Sequence, residues 1–198
     1  MLAVATESDQ LTLAMRALEA AFLIGVEGVC EIWLIRHADC YQDAGYDVED
    51  PALSALGREQ AARLAKRVRR ATPAAVYASP YRRALETARA ITSDVRVDPR
   101  LIEMALEMKP NGSMELREEP AVVVARMRAA LGDIARAHAG QRVVVISHGA
   151  AIIAFLTDIL MLEPGQLRLL PYFTSVSVIR VLGDRAMAGG LTDTSHLV

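Results

Sequence analysis

The sequence predicts an α/β fold, a three-layer α/β/α sandwich around a mainly parallel central sheet, and three observations carry that prediction. Two continuous β-favouring runs, Ile32-Trp33-Leu34-Ile35 and Val143-Val144-Val145-Ile146, read as strands buried on both faces. Each run ends in a histidine-bearing turn, Arg36-His37-Ala38 and Ser147-His148-Gly149, at the carboxyl end of a strand, where open α/β sheets bind ligands. Strand and helix signals also alternate in the order β-α-β-α-β-α-β-α-β, which calls for crossover helices and a parallel sheet.

The first element is an amphipathic helix over residues 10 to 27. Leu11, Met15, Leu18, Phe22 and Val26 fall on one face, Ser8 stands where a cap would, and Gly25 and Gly28 weaken the end. It reads as an extension of residues 1–28 ahead of one domain of residues 29–198. As a cover for the core or as a homodimer contact it makes equal sense, and both readings stand. A strand at about 31 to 36 follows, then a polar loop from Asp39 to Pro51.

Ser54 is placed to cap a helix through Ala61, Leu64, Ala65 and Val68 to about Arg70. A short strand at 75 to 78 leads to a helix from about Pro80 to Ile91, with proline suited to a helix start. Val95 and Val97 mark a brief strand before Pro99, and the stretch 104 to 114, with Pro110-Asn111-Gly112, reads as irregular. A helix over 118 to 138 ends near Gly140, ahead of the second buried strand. Another helix runs through Ile152, Phe155, Leu156 and Ile159 and is closed by Pro164-Gly165. Alternation in Val176, Val178 and Val181 marks a last strand with a partner near Met187 to Leu191.

Composition excludes several classes. A chain of 198 residues that is 53% hydrophobic and 23% charged is globular, not disordered. A net charge of −2 gives no general attraction to nucleic acid or to an anionic membrane. Cys30 and Cys40 belong to no metal-spaced cluster, so reduced thiols in a cytoplasm are the default. The apolar patch Ala20 to Ile24 is too short to span a bilayer, and Glu7 and Asp9 stand where a signal peptide would be basic. Function is therefore expected at a local site.

Arg36 beside His37 offers a fork for an oxyanion next to a nucleophile or proton carrier. Between the two histidine turns lies Ser79-Pro80-Tyr81-Arg82-Arg83-Ala84-Leu85-Glu86-Thr87-Ala88, a strand end that opens a helix and brings an arginine with it. If the two histidine-bearing strands are sheet neighbours, Arg36, His37, Arg83 and His148 converge on one crevice suited to a phosphoryl group.

Here the chain resembles the histidine phosphatase superfamily, the phosphoglycerate mutase-like enzymes and phosphomonoesterases. Leu34-Ile35-Arg36-His37-Ala38-Asp39 looks like its nucleophile motif, and Leu53-Ser54-Ala55-Leu56-Gly57-Arg58-Glu59-Gln60-Ala61 resembles its helix-opening pattern. The Ser79 to Ala88 stretch is similar to its second arginine motif, with Arg83 and not Arg82 in register, and Val145 to Gly149 to its second histidine motif. The resemblance implies His37 as a nucleophile that becomes phosphorylated, with Arg36, Arg83 and His148 holding the phosphoryl oxygens. It places Glu103, in Leu101-Ile102-Glu103, as the proton donor. It implies a metal-independent phosphatase without a cofactor, acting on a small phosphorylated substrate. Ala38, Cys40 and Asp43 stand where the family often has Gly, Ser or Thr, and Asn, and an inward Asp43 would repel phosphate.

A mutase is the first rival, disfavoured by the short segments after Glu103 and at the carboxyl end. A protein-phosphohistidine phosphatase that lacks the acid and a non-catalytic phospho-ligand sensor are the others. His138 reads as structural, His196 carries no role, and Arg63, Lys66, Arg67, Arg69 and Arg70 read as a solvated helix face.

Overall fold

The computed structural model describes residues 7–42, 50–109 and 111–198. In chain order they form α1 (Glu7–Ala21), β1 (Cys30–Arg36), α2 (Ala55–Arg70), β2 (Ala75–Ala78), α3 (Arg82–Ile91) and β3 (Val95–Val97). These are followed by β4 (Leu106–Met108), β5 (Met114–Leu116), α4 (Pro120–Ala137), β6 (Arg142–Ser147), α5 (Gly149–Ile159), β7 (Val176–Leu182) and β8 (Arg185–Asp193). Asp43 lies outside the described residues.

Six strands make one sheet in the order β3-β2-β6-β1-β7-β8. The first four in that order are parallel, and β7 and β8 run antiparallel at the edge, so the sheet is mainly parallel as expected. Both faces of β1 and β6 are covered, which is why their sequences are continuous apolar runs. Ile32, Leu34, Val143 and Val145 pack with α4 and α5, whereas Ile35, Val144 and Ile146 pack with α2 and α3. The parallel register pairs Arg36 with Ser147, which sets the two histidine turns side by side at one end of the sheet.

Four expectations are corrected. Helix α1 starts at Glu7, so Ser8 lies inside it, and it ends at Ala21 where the chain turns through Leu23 at φ +58° and Gly25 at φ +68°. Leu23 is buried and pins that turn, while Leu11, Met15, Leu18 and Phe22 stay exposed. The stripe therefore does not cover the core, forgoing about 1.5–3 kcal/mol for each side chain left in water.

The stretch 104 to 114 is not irregular: β4 and β5 pair as a hairpin with Gly112 at φ +80° in its turn. Glu107 and Glu115 on facing strands, with Lys109 and Arg117, tie it by ion pairs that no apolar periodicity announces. Helix α3 begins at Arg82 and not Pro80, and the Arg82 amide is capped by Asp50 from the loop between β1 and α2 (2.8 Å). The basic face of α2 is not simply solvated. Arg67 pairs with Asp193 and Arg63 donates to the Leu197 carbonyl, clasping the carboxyl-terminal segment. No helix among the described residues is long and apolar enough to cross a membrane.

Candidate active site

The site is assembled on the segment just beyond β1. The Ala38 amide donates to Thr87 Oγ1 (3.0 Å), and that hydroxyl donates to the Arg83 carbonyl (2.7 Å). The Asp39 amide donates to Gln60 Oε1 (2.9 Å), and Asp39 Oδ2 accepts from the Ser54 hydroxyl (2.5 Å). Ser54 in turn caps α2 by accepting from the Gly57 amide (2.9 Å). A Cβ on Gly57 would stand 1.9 Å from the Asp39 carbonyl oxygen, so only glycine lets α2 approach this closely. The spaced Ser, Gly, Gln and Thr of the sequence are thus the clamps that hold residues 38 and 39. The cap at Ser54 is the one expected from the sequence, whereas the bonds that these residues make to residues 38 and 39 are not visible from residue type alone.

His37 is buried, and its Nδ1 donates to the Ala38 carbonyl (2.8 Å), leaving Nε2 as the nitrogen with a free lone pair. Burial lowers its pKa to about 3, with the Arg83 and Arg36 guanidinium groups pushing the same way. The ring is therefore neutral. His148 lies 5.1 Å away, centroid to centroid, and burial first and the charges of His37, Arg83 and Arg36 next keep it neutral too. Its Nε2 meets Ser79 Oγ at 2.7 Å. Ser79 Oγ also accepts from the Tyr81 amide and keeps a second lone pair, so the pair forms with either tautomer of His148; with the serine hydroxyl as donor, the His148 proton sits on the free Nδ1.

Two guanidinium groups flank the imidazoles. Arg36 donates to the Pro171 carbonyl (2.9 Å) and lies 4.1 Å from the centre of the Phe173 ring. Arg83 pairs with Asp50 (3.1 Å) and lies 4.7 Å from the Tyr81 ring. Arg83 is buried, whereas its neighbour Arg82 is exposed and bonded to Glu86. Phe173 is turned over the site by Thr174, whose amide bonds the Arg36 carbonyl (3.0 Å) from a left-handed conformation at φ +59°. A β-branched residue there costs about 1–3 kcal/mol, and such strain gathers at functional sites.

Among the described residues, the buried side-chain polar atoms without a partner are Arg36 Nε, Arg83 Nε, His148 Nδ1 and Ser175 Oγ. Orphaned buried donors are costly in a native structure, and here three of them are nitrogens of one cluster. Such a cluster can receive an oxyanion.

Glu103 reaches the same end of the sheet from the turn after β3. Its Oε1 accepts from the amides of Met104 and Ala151 (both 2.9 Å), and Oε2 makes only a 3.4 Å contact with the Ala150 amide. The carboxylate thus stands at the amino end of α5, where the positive end of the helix favours an anion. It is also close enough to act electrostatically on Arg36. The histidines outside the cluster do other work. His138 bonds Tyr77, Arg96 and Gln141, and His196 bonds Thr174 Oγ1.

A neutral imidazole with its outer nitrogen free, ringed by the guanidinium groups of buried Arg83 and half-buried Arg36 and by a second imidazole, defines the class of protein. The histidine phosphatase superfamily (branch 1) model matches residues 32–111 and 105–194, and the chain belongs to that superfamily of phosphatases and mutases. Helix α1 lies ahead of the matched residues. A probable phosphoglycerate mutase, GpmB, of Yersinia enterocolitica is 28% identical over 201 residues, covering 79% of this chain and 94% of the relative. Solved structures share the fold. Bacillus stearothermophilus YhfR superposes with a TM-score of 0.72 at 22% identity, over 85% of this chain and 100% of the other. A phosphoserine phosphatase of Entamoeba histolytica in complex with phosphoserine gives 0.69 at 20%, over 85% and 100%. A mycobacterial glucosyl-3-phosphoglycerate phosphatase gives 0.70 at 19%, over 84% and 100%.

Proposed function

We propose that the protein is a metal-independent phosphomonoesterase that works through a phosphohistidine on His37, formed by its single domain of residues 29–198. The observation that carries this reading is the ring of unpartnered buried nitrogens, Arg36 Nε, Arg83 Nε and His148 Nδ1, beside a neutral His37. Those nitrogens supply donors for the equatorial oxygens of a transferring phosphoryl group, held in place before reaction. His37 Nε2 attacks phosphorus, the N–P bond forms and the ester P–O bond breaks. Glu103 delivers a proton to the departing alkoxide. Its Oε2, the less engaged oxygen, is the one to carry it. As a carboxylate, Glu103 then takes a proton from water, which attacks the phosphohistidine and releases phosphate.

Hydrolysis is favoured over phosphoryl return because a mutase must exclude water while the donor turns. Between Glu103 and α4 the chain contributes only the β4–β5 hairpin, and Leu106 and Leu116 on it are exposed. The name of the GpmB relative favours the mutase reading, and product analysis separates the two. Rapid quenching with labelled p-nitrophenyl phosphate should trap an acid-labile, alkali-stable adduct that His37→Ala lacks. Full turnover by His37→Ala, or an acid-stable adduct, overturns the reading. Transfer of label from 2-phosphoglycerate to 3-phosphoglycerate without release of phosphate establishes a mutase.

A further inference from the structure

Resting on the phosphomonoesterase reading of the same pocket, we infer that the organic part of the substrate is aromatic and uncharged, and that esters with a second anionic group are rejected. Two aromatic walls rise from the imidazoles. On one side Phe173 lies 5.9 Å from the His37 ring, with Tyr172 5.6 Å and Tyr41 6.2 Å from Phe173. On the other, Tyr81 lies 5.2 Å from the His148 ring, nearly edge-on. Only 5% of the chain is aromatic, so four such residues at one mouth are a concentration and not background. Tyr41 and Tyr172 remain 39% and 50% exposed, which leaves ring surface for a ligand ring to stack against.

Charge points the same way. A carboxylate on the substrate needs a cation not already engaged, and most cations on the flanking segments are engaged, exposed Arg168 being the exception that the test addresses. Arg82 turns outward onto Glu86. Lys109 and Arg117 are neutralised by Glu107 and Glu115, and Arg126 by Glu118. Asp50, the acidic residue that meets the site from the loop before α2, is itself paired with Arg83.

The wall beside Glu103 is apolar as well. A cleft of about 750 Å³ begins at Met104, whose amide bonds Glu103 Oε1, and at Ala150, and continues over Leu106, Leu116 and Ile153; its charged lining residues, Arg128 and Asp158, pair with each other. A second anion would lose its water without gaining a partner, which is how a site rejects the wrong ligand.

The test compares esters whose leaving oxygens are all alkyl: benzyl phosphate, glycerol 3-phosphate and 3-phosphoglycerate. Benzyl phosphate should exceed 3-phosphoglycerate in kcat/KM on the order of 100-fold. Tyr172→Ala should lower the benzyl value about 10-fold and the glycerol 3-phosphate value much less. Calorimetry with two non-hydrolysable probes, benzylphosphonate and 3-phosphonopropionate, reads selectivity without turnover. Preference for benzylphosphonate supports the inference even if no ester is hydrolysed, a result that would sink the phosphatase reading alone. Equal or tighter binding of 3-phosphonopropionate, or an equal effect of Tyr172→Ala on benzyl and glycerol esters, overturns it. A carboxylate preference abolished by Arg168→Ala would overturn it too, by assigning the second anion to that exposed arginine.

Discussion

The nucleophilic role proposed for His37 needs its attacking nitrogen unprotonated, and burial of the ring meets that need at a cost in stability. Its folded pKa of about 3 lies below the ordinary 6.5 because of burial, reinforced by Arg83 and Arg36. Between those two pH values the unfolded chain binds more protons than the folded one, so stability is fully present above 6.5 and falls as pH falls. The slope for His37 is about 1.4 kcal/mol per pH unit, and His148, also depressed, adds to it. Urea midpoints at pH 7.5, 6.5 and 5.5 should decline in wild type and decline less in His37→Asn. A midpoint independent of pH would contradict the depressed values.

Glu103 allows a sharper test at the same scale, because an alkoxide needs a proton from the enzyme and a weakly basic phenolate does not. Glu103→Gln should cut hydrolysis of alkyl phosphates by about 100-fold or more and of p-nitrophenyl phosphate much less. Equal losses on both substrates would leave Glu103 as a cap for α5 and nothing more.

Among the elements, α2 decides where the segment carrying His37 sits. Its first turn touches the Asp39 carbonyl through Gly57, and its second supplies Gln60 to the Asp39 amide. Gly57→Ala should cost roughly 2 kcal/mol or more, since backbone and not a flexible side chain must yield, and should lower kcat with it. Gly132→Ala in α4 is the control. There the nearest atom to a Cβ is the tip of Arg136 at 3.6 Å, and replacing a mid-helix glycine should stabilise by about 0.5–1 kcal/mol. Thermal melts of the two variants should move in opposite directions.

For the molecule as a whole, the sheet domain and α1 are expected to behave separately. The apolar stripe of α1 is exposed, while Leu23, just past its end, is buried. Deleting residues 1–21 should leave the melting temperature and kcat unchanged. Deleting residues 1–28 also removes Leu23 and should cost about 2–5 kcal/mol. Light scattering should show concentration-dependent self-association of the full chain that both truncations lose. A monomer at every concentration would leave the stripe without this role.

Strands β1 and β6, their helices and the four residues Arg36, His37, Arg83 and His148 were legible in the sequence, because burial on both faces writes a continuous apolar run and its end marks the ligand edge. Ala84 and Thr87 pointed to Arg83 over Arg82, Arg83 is the buried one of the two, and Thr87 bonds both the Ala38 amide and the Arg83 carbonyl. The tertiary structure alone decided what meets that edge from far along the chain. Phe173 over Arg36, Asp50 on Arg83, Ser79 on His148 and the α5 amides on Glu103 join segments with no shared periodicity. A repeating pattern records which face of an element is buried. Contacts between irregular segments depend on how the chain returns to the sheet edge, and no local pattern records that.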